Sequence, residues 1–285
     1  MSPALRAAAS LVWVCACAPV EAPDAPDALA TAAPCTAGSV SFGVVEGRLV
    51  DERGLALADE AVSLCGSVCV PARTRSDGRF SVRAGVCFAA SARYPGGAVL
   101  EVYGDGYHAD VSIDVNPARA PRLERVALGD VRVPSLFAAP SVPVPLAGDS
   151  VQRLELPDGF SLRIAPGSLD AGFRTVMRVS AVRVERGDLP PFYGLAASGV
   201  AGMYAVAPSG ARCTAPAAVT LPNDAGLAPG AAVEFVMVGE AALEGALAPG
   251  SMGVVDTGRV SDDGRAVTAD HGLPHLGWVG FRARR

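Results

Sequence analysis

Residues 44–82 read VVEGRLVDERGLALADEAVSLCGSVCVPARTRSDGRFSV. Val45 and Leu49, Val62 and Leu64, and Phe80 and Val82 recur at even spacings, while Glu46, Arg48, Ser63, Arg79 and Ser81 take the places between them. A strand sends successive side chains to opposite faces, so this is the pattern of strands buried on one side. The breaks between the runs, DERG, CGSVC and SDG, put glycine beside small or polar residues that favour tight turns. Short strands joined by such turns imply a small antiparallel sandwich, an architecture that implies no activity by itself.

Working outward, a chain of 285 residues can bury two cores. Apolar residues make up 50% but aromatics only 6%, and 32 Gly with 23 Pro punctuate the chain too often for long helices. The expected class is all-β: two small antiparallel β-sandwich domains in tandem. The net charge is −5, and all 24 basic residues are arginines scattered singly along the strands. Such a distribution forms no basic stripe, which argues against a nucleic-acid partner.

The N-terminus is set apart from the fold. Arg6 and the apolar run Ala7 to Val14 have the form of a targeting segment, and the run is too short to cross a bilayer as a helix. Val14-Cys15-Ala16-Cys17 resembles a bacterial lipobox. That resemblance implies a signal peptide over residues 1–16, a lipid on Cys17, a membrane as the first partner and an outer-membrane lipoprotein as the product. The alternative is a freely secreted protein, since Ala16-Cys17-Ala18 also suits an ordinary signal peptidase. Residues 17–40, rich in Ala, Pro and Asp, read as a flexible tether.

The first domain is expected over residues 41–133. Beyond the opening stretch, strands are expected at Val86–Arg93, Val99–Tyr103, Tyr107–Val115 and Val126–Val133, giving about seven in all. Gly47, Leu49, Asp51, Gly54, Leu57, Ala61 and Val62, then Thr74, Asp77, Gly78 and Phe80, make a pattern that resembles the carboxypeptidase regulatory-like, transthyretin-type domain. Residues 134–149, with Pro134, Pro140, Pro143 and Pro145, read as a linker. In residues 150–285, strands are expected at Val151–Leu156, Phe160–Ile164, Thr175–Val184 and Val233–Val238. The segments DGFSLRIAPGSL (158–169) and VAPSGARCTAPAAVTLP (206–222) resemble the β-sandwich domain of tight-junction scaffolds, netrin receptors and ankyrins.

Candidate chemistry is sparse. His271 and His275 beside Asp270 are the weak candidates for a metal site, but Gly272 and Pro274 forbid the helix that would converge two imidazoles four residues apart. Asp77-Gly78, Asp105-Gly106 and Asp263-Gly264 lack the repeated oxygen ligands of a calcium loop and read as turns. Neither a G-x-S-x-G elbow nor an H-E-x-x-H motif nor a P-loop occurs. The zinc peptidases that carry domains of the first type take their His and Glu ligands from a separate domain, and this chain has three His. The expectation is therefore a protein without catalytic residues, metal or cofactor that displays two sandwiches to an envelope protein or polysaccharide. A sugar-binding adhesin is the alternative, with Tyr94, Tyr103, Tyr107, Phe192 and Tyr193 as the aromatics to inspect. A hydrolase would instead show two convergent carboxylates or a His-lined pocket.

An exported chain meets an oxidising compartment, so its thiols should pair. The transthyretin-type resemblance implies that Cys35, Cys65, Cys69 and Cys87 gather at one end of the first sandwich. Two disulfides are expected there with the connectivity open, and Cys213 is expected to be a buried thiol. The second resemblance carries an expectation too: some members cut themselves at a His-Phe-Ser step, and the corresponding His275-Leu276-Gly277 has no hydroxyl to attack.

Overall fold

The computed structural model describes residues 35–104, 108–136, 139–143, 150–170, 178–240 and 247–284. The first part of the chain supplies β1 (Ser39–Val50), β2 (Ala61–Cys65), β3 (Cys69–Arg73), β4 (Arg79–Arg83), β5 (Cys87–Ala89), β6 (Val99–Tyr103), β7 (Val111–Asp114) and β8 (Arg122–Arg132). They form two four-stranded sheets, one with β1 between β4 and β5 and joined by β8, the other in the order β3-β2-β6-β7. The alternating residues of the opening stretch meet between these sheets: Val45, Leu49, Val62, Leu64, Phe80 and Val82 are all at most 3% exposed and belong to one core.

Two details depart from the expected pattern. Among the described residues the strand count is eight, and β8 runs parallel to β1, pairing Phe42 with Leu123 and Leu49 with Val131, whereas the other pairs are antiparallel. A parallel partner requires a long return path, which the chain from β2 to β7 provides. The expected turns are present, with Gly78 at φ +78° in the loop between β3 and β4, where a Cβ would press on the carbonyl of Leu49.

The rest of the chain supplies, among the described residues, β9 (Ser141–Pro143), β10 (Gln152–Glu155), β11 (Ser161–Ile164), β12 (Leu169–Asp170), β13 (Arg178–Glu185), β14 (Gly202–Ala207), β15 (Arg212–Pro222), β16 (Ala232–Val238), β17 (Met252–Val260), β18 (Ala266–Ala269), β19 (Leu273–His275) and β20 (Trp278–Ala283), with a short α-helix, α1 (Leu195–Ser198), and a 3-10 turn at Arg186–Asp188. These strands make one 12-stranded sheet in the order β10-β11-β15-β18-β17-β16-β20-β14-β13-β9, with β12 and β19 also on β15. It folds around a second core that includes Phe160, Leu162, Val219, Phe235 and Phe281. The span expected as a linker contains β9, which pairs with β13 through Val142 and Val179. Likewise the expected tether over residues 17–40 overlaps β1, which begins at Ser39. Local proline and alanine content gave no sign of either pairing, because both depend on distant partners.

Several strands of the larger sheet bury both faces. In β14, Tyr204 and Val206 join the second core while Met203 and Ala205 join the cluster of the first; β16 and β20 divide in the same way, Phe235 and Phe281 against Val236 and Trp278. The unbroken apolar run Phe235–Val238 is the sequence form of a strand covered on both sides. The two sandwiches therefore share apolar packing, and Ala33–Arg285 is one compact unit.

Candidate functional site

Strand β6 reads VLEVY, and its alternation sorts the side chains. Leu100 and Val102 enter the first core, while Glu101 and Tyr103 point to the other face of the sheet. On neighbouring β7, Ser112 lies opposite Glu101 and on the same face. The second sandwich brings Ser209, from the turn after β14, and Glu240, just beyond β16, to this surface. Together with Tyr94, Asp110, Val102, Cys65 and Cys69 they line a cleft of about 260 Å³.

Each acid in the cleft is anchored. Tyr103 donates its hydroxyl to Glu101 Oε2, the backbone N–H of Gly104 donates to Asp110 Oδ1 at 2.6 Å, and Ser209 donates to Glu240 Oε1 at 2.7 Å. Glu101 is 6% exposed, and its Oε1 has no hydrogen-bond partner. Burial pushes its carboxyl above the ordinary range; the Tyr103 hydroxyl and the Arg93 charge pull it down, and Asp110 pushes it up. Burial and the adjoining acid likewise drive the Tyr103 phenol well above its usual value, so it remains a donor. No lysine, arginine or histidine is among the described residues that line the cleft.

The aromatics named from the sequence separate. Tyr94 and Tyr103 line the cleft. Phe192 is 3% exposed and packs edge-on against Trp278 at 5.2 Å, so it is a core residue. Tyr193 is on the surface, with the Arg119 guanidinium 4.9 Å from its ring centre. Tyr107, like the Asp105-Gly106 pair, lies outside the described residues.

The other candidates also have definite places. His271 Nδ1 bonds Asp256 Oδ1 at 2.9 Å, whereas His275 sits in β19 opposite Arg212, with Nδ1 3.1 Å from the Leu276 carbonyl. The histidines are thus engaged separately, and among the described residues no group of three or more His, Cys, Asp and Glu is arranged to hold a metal. Asp77 and Asp263 accept the N–H groups of Arg79 and Arg265, which is turn chemistry. His108, expected within a strand, makes an isolated bridge to Ser135 outside the named strands, with Nδ1 3.4 Å from Glu60 Oε1.

The four cysteines of the first sandwich form Cys35–Cys87 and Cys65–Cys69, with Cα separations of 5.6 and 4.1 Å. The second bridge links directly opposed residues of the β2–β3 hairpin and forms part of the cleft wall. Cys213 is a buried thiol, raised by desolvation to about 11. Cys17 lies outside the described residues. Gly277 stands next to Glu240 and Ser209: a Cβ there would be 3.0 Å from Glu240 Oε1 and 3.5 Å from Ser209 Oγ.

Sequence reasoning missed Asp110, Ser112, Ser209, Glu240 and Glu101 as a group. An acid between Leu100 and Val102 in β6 reads as the solvated side of a strand, and only the second sandwich, distant in sequence, turns that side into a wall.

No family model matches the chain, and no curated protein matches it. Among solved structures, a crystal structure of a protein from Bacteroides uniformis, to which carbohydrate binding is provisionally ascribed, shares 7% identity. The alignment covers 86% of this chain and 100% of that one, with a TM-score of 0.20. A superposition that loose supplies no argument about fold or function.

Proposed function

We propose that this chain is a non-catalytic binding protein of the bacterial cell envelope, held at a membrane by a lipid on Cys17 and binding a saccharide in the cleft between its sandwiches. The observation that carries the binding reading is the cleft itself. It combines acceptors from Glu101, Asp110 and Glu240, hydroxyls from Ser112 and Ser209, and the rings of Tyr94 and Tyr103. Saccharides are recognised by that mixture, hydrogen bonds to hydroxyls together with an aromatic surface against the apolar face of the ring. Export is supported by the two disulfides, which persist in oxidising compartments. The resemblances to the carboxypeptidase regulatory-like domain, an accessory module, and to the netrin-receptor-type domain, whose self-cleaving hydroxyl is missing at Gly277, support the same reading.

A hydrolase is the second reading, favoured by the presence of several carboxyl groups in one cleft, one of them raised by burial. Against it, each of the three already accepts a hydrogen bond from the fold. The test is a glycan array probed with the full chain and with Tyr103→Ala. Glycans retained by the parent and lost by a folded variant support the binding reading; an array that stays blank with folded protein ends it. Appearance of shortened saccharides after incubation would replace binding with hydrolysis.

A further inference from the structure

Among the described residues the cleft is lined by three acids and no basic residue, the Arg93 charge acting on Glu101 from outside the lining, and one acid has an unmet need. Glu101 is 6% exposed, its Oε2 is occupied by the Tyr103 hydroxyl, and its Oε1 has no partner. A buried acceptor left unsatisfied carries an unrepaid desolvation cost, so a ligand able to donate there gains more than it would on an open surface. A saccharide hydroxyl could donate one hydrogen bond. An ammonium donates three and carries the charge opposite to that of the wall, whereas a uronate or phosphate would meet Glu101, Asp110 and Glu240 as like charges. The cavity volume, about 260 Å³, falls just below the range of about 300–1,000 Å³ for drug-sized ligands. That is room for one sugar ring with its neighbours outside, and Tyr94 and Tyr103 supply the aromatic wall.

Resting on the saccharide-binding reading above, we propose that the cleft takes a hexosamine unit whose amino group is free, with its ammonium directed to Glu101. Ser112 and Ser209 are the hydroxyl partners for the ring, and acetylation of the amine removes both its charge and two of its donors. A lysine-bearing peptide offers the same ammonium but no ring for the tyrosines, which is why the sugar is favoured.

Calorimetric titration of the full chain in detergent can separate the cases, using a deacetylated glucosamine oligosaccharide, its N-acetylated counterpart, a neutral glucose oligosaccharide and a lysine oligopeptide. The deacetylated sugar should bind about tenfold or more tightly than the acetylated one, the difference a charge-assisted hydrogen bond makes. Glu101→Gln keeps an acceptor for Tyr103 but puts an amide donor toward the ammonium, so the preference should vanish while the thermal midpoint and circular dichroism show a folded protein. Equal binding of the three sugars would overturn the amine assignment and leave saccharide binding standing. A preference that survives Glu101→Gln would also overturn it. No binding of any sugar would remove both, and binding of the lysine peptide as tightly as the deacetylated sugar would transfer the site to a protein partner.

Discussion

The indole N–H of Trp278, at the start of β20, donates to the backbone carbonyl of Asp110, just before β7, at 2.8 Å. This bond joins the two sandwiches beside the cleft, because Asp110 is one of its walls. Trp278 is 1% exposed and shares a core cluster with Leu100, Val102 and Ile113 of the first sandwich. Gly250 contributes to the same junction, with φ +72° and so little room that a Cβ would strike the backbone nitrogen of Asp114.

Because the cores are joined, the two sandwiches should unfold together. Trp278→Phe removes the donor and part of the buried ring, and should destabilise by about 1–3 kcal/mol. Urea unfolding followed by circular dichroism and by tryptophan fluorescence in the parent should give one coincident transition. Two separated transitions in the parent protein would contradict the shared core. A loss below about 0.5 kcal/mol in the variant would contradict the importance of this bond.

The disulfides should differ in worth. Cys35–Cys87 spans a sequence separation of 52, and Cys65–Cys69 one of 4. If a cross-link acts by removing loop entropy from the unfolded chain, the long loop contributes about 4 kcal/mol and the short one about 2. Paired alanine variants compared by urea midpoint should follow that order, and the reverse order would show that hairpin strain or packing dominates. In the native protein Cys213 should resist thiol reagents at pH 8, since burial raises it to about 11. Rapid labelling of Cys213 without denaturant would show that it is not held in the core.

How much of this was legible in sequence depends on the range of the interaction. Period-two alternation located β2 and β4 because a strand's face pattern is local. The parallel β1–β8 pair and the short strand β9 were not legible, since each is defined by a partner many residues away. The same limit hid the cleft. Glu101 and Tyr103 are two residues apart, and their shared face could be read, but Ser209 and Glu240 reach it only through tertiary packing. His271 and His275 show the opposite case: Gly272 and Pro274 argued locally against a helical metal pair, and the two rings do hydrogen-bond to different partners.

The His271–Asp256 pair gives a pH dependence with a definite sign. Asp256 is raised by burial but lowered overall, because the His271 ring, the N–H groups of Gly272 and His271, and that of Thr257 favour its charged form. His271 is raised above 6.5, first by its hydrogen bond to Asp256 and then by that charge. The stabilisation from Asp256 is thus present above its ordinary range and lost as pH falls through its lowered folded value. That from His271 is complete below 6.5 and lost as pH rises through its raised folded value. In an NMR titration His271 should have a midpoint above 6.5 that falls in Asp256→Asn, while His275, desolvated in β19, should titrate below 6.5. A parent midpoint for His271 at or below 6.5 would rule out the pair in solution.

The proposed lipid on Cys17 would place the cleft at a membrane. The lipoprotein route requires Val14, Ala16 and Cys17 as they stand, whereas an ordinary cut after Ala18 would leave Pro19 at the new terminus. Acyl chains hold a protein at a bilayer because each buried methylene contributes about 0.8 kcal/mol, and stable anchoring takes more than one chain. The disulfide between Cys35 and Cys87 ties the chain to the first sandwich 18 positions after Cys17 (35 − 17). We expect the native protein in the membrane fraction, with an acylated N-terminal peptide by mass spectrometry, and Cys17→Ala in the soluble fraction. Unchanged membrane association of Cys17→Ala, or an unmodified terminus at Pro19 in the parent, would exclude the lipid anchor and leave a freely secreted protein with the same cleft.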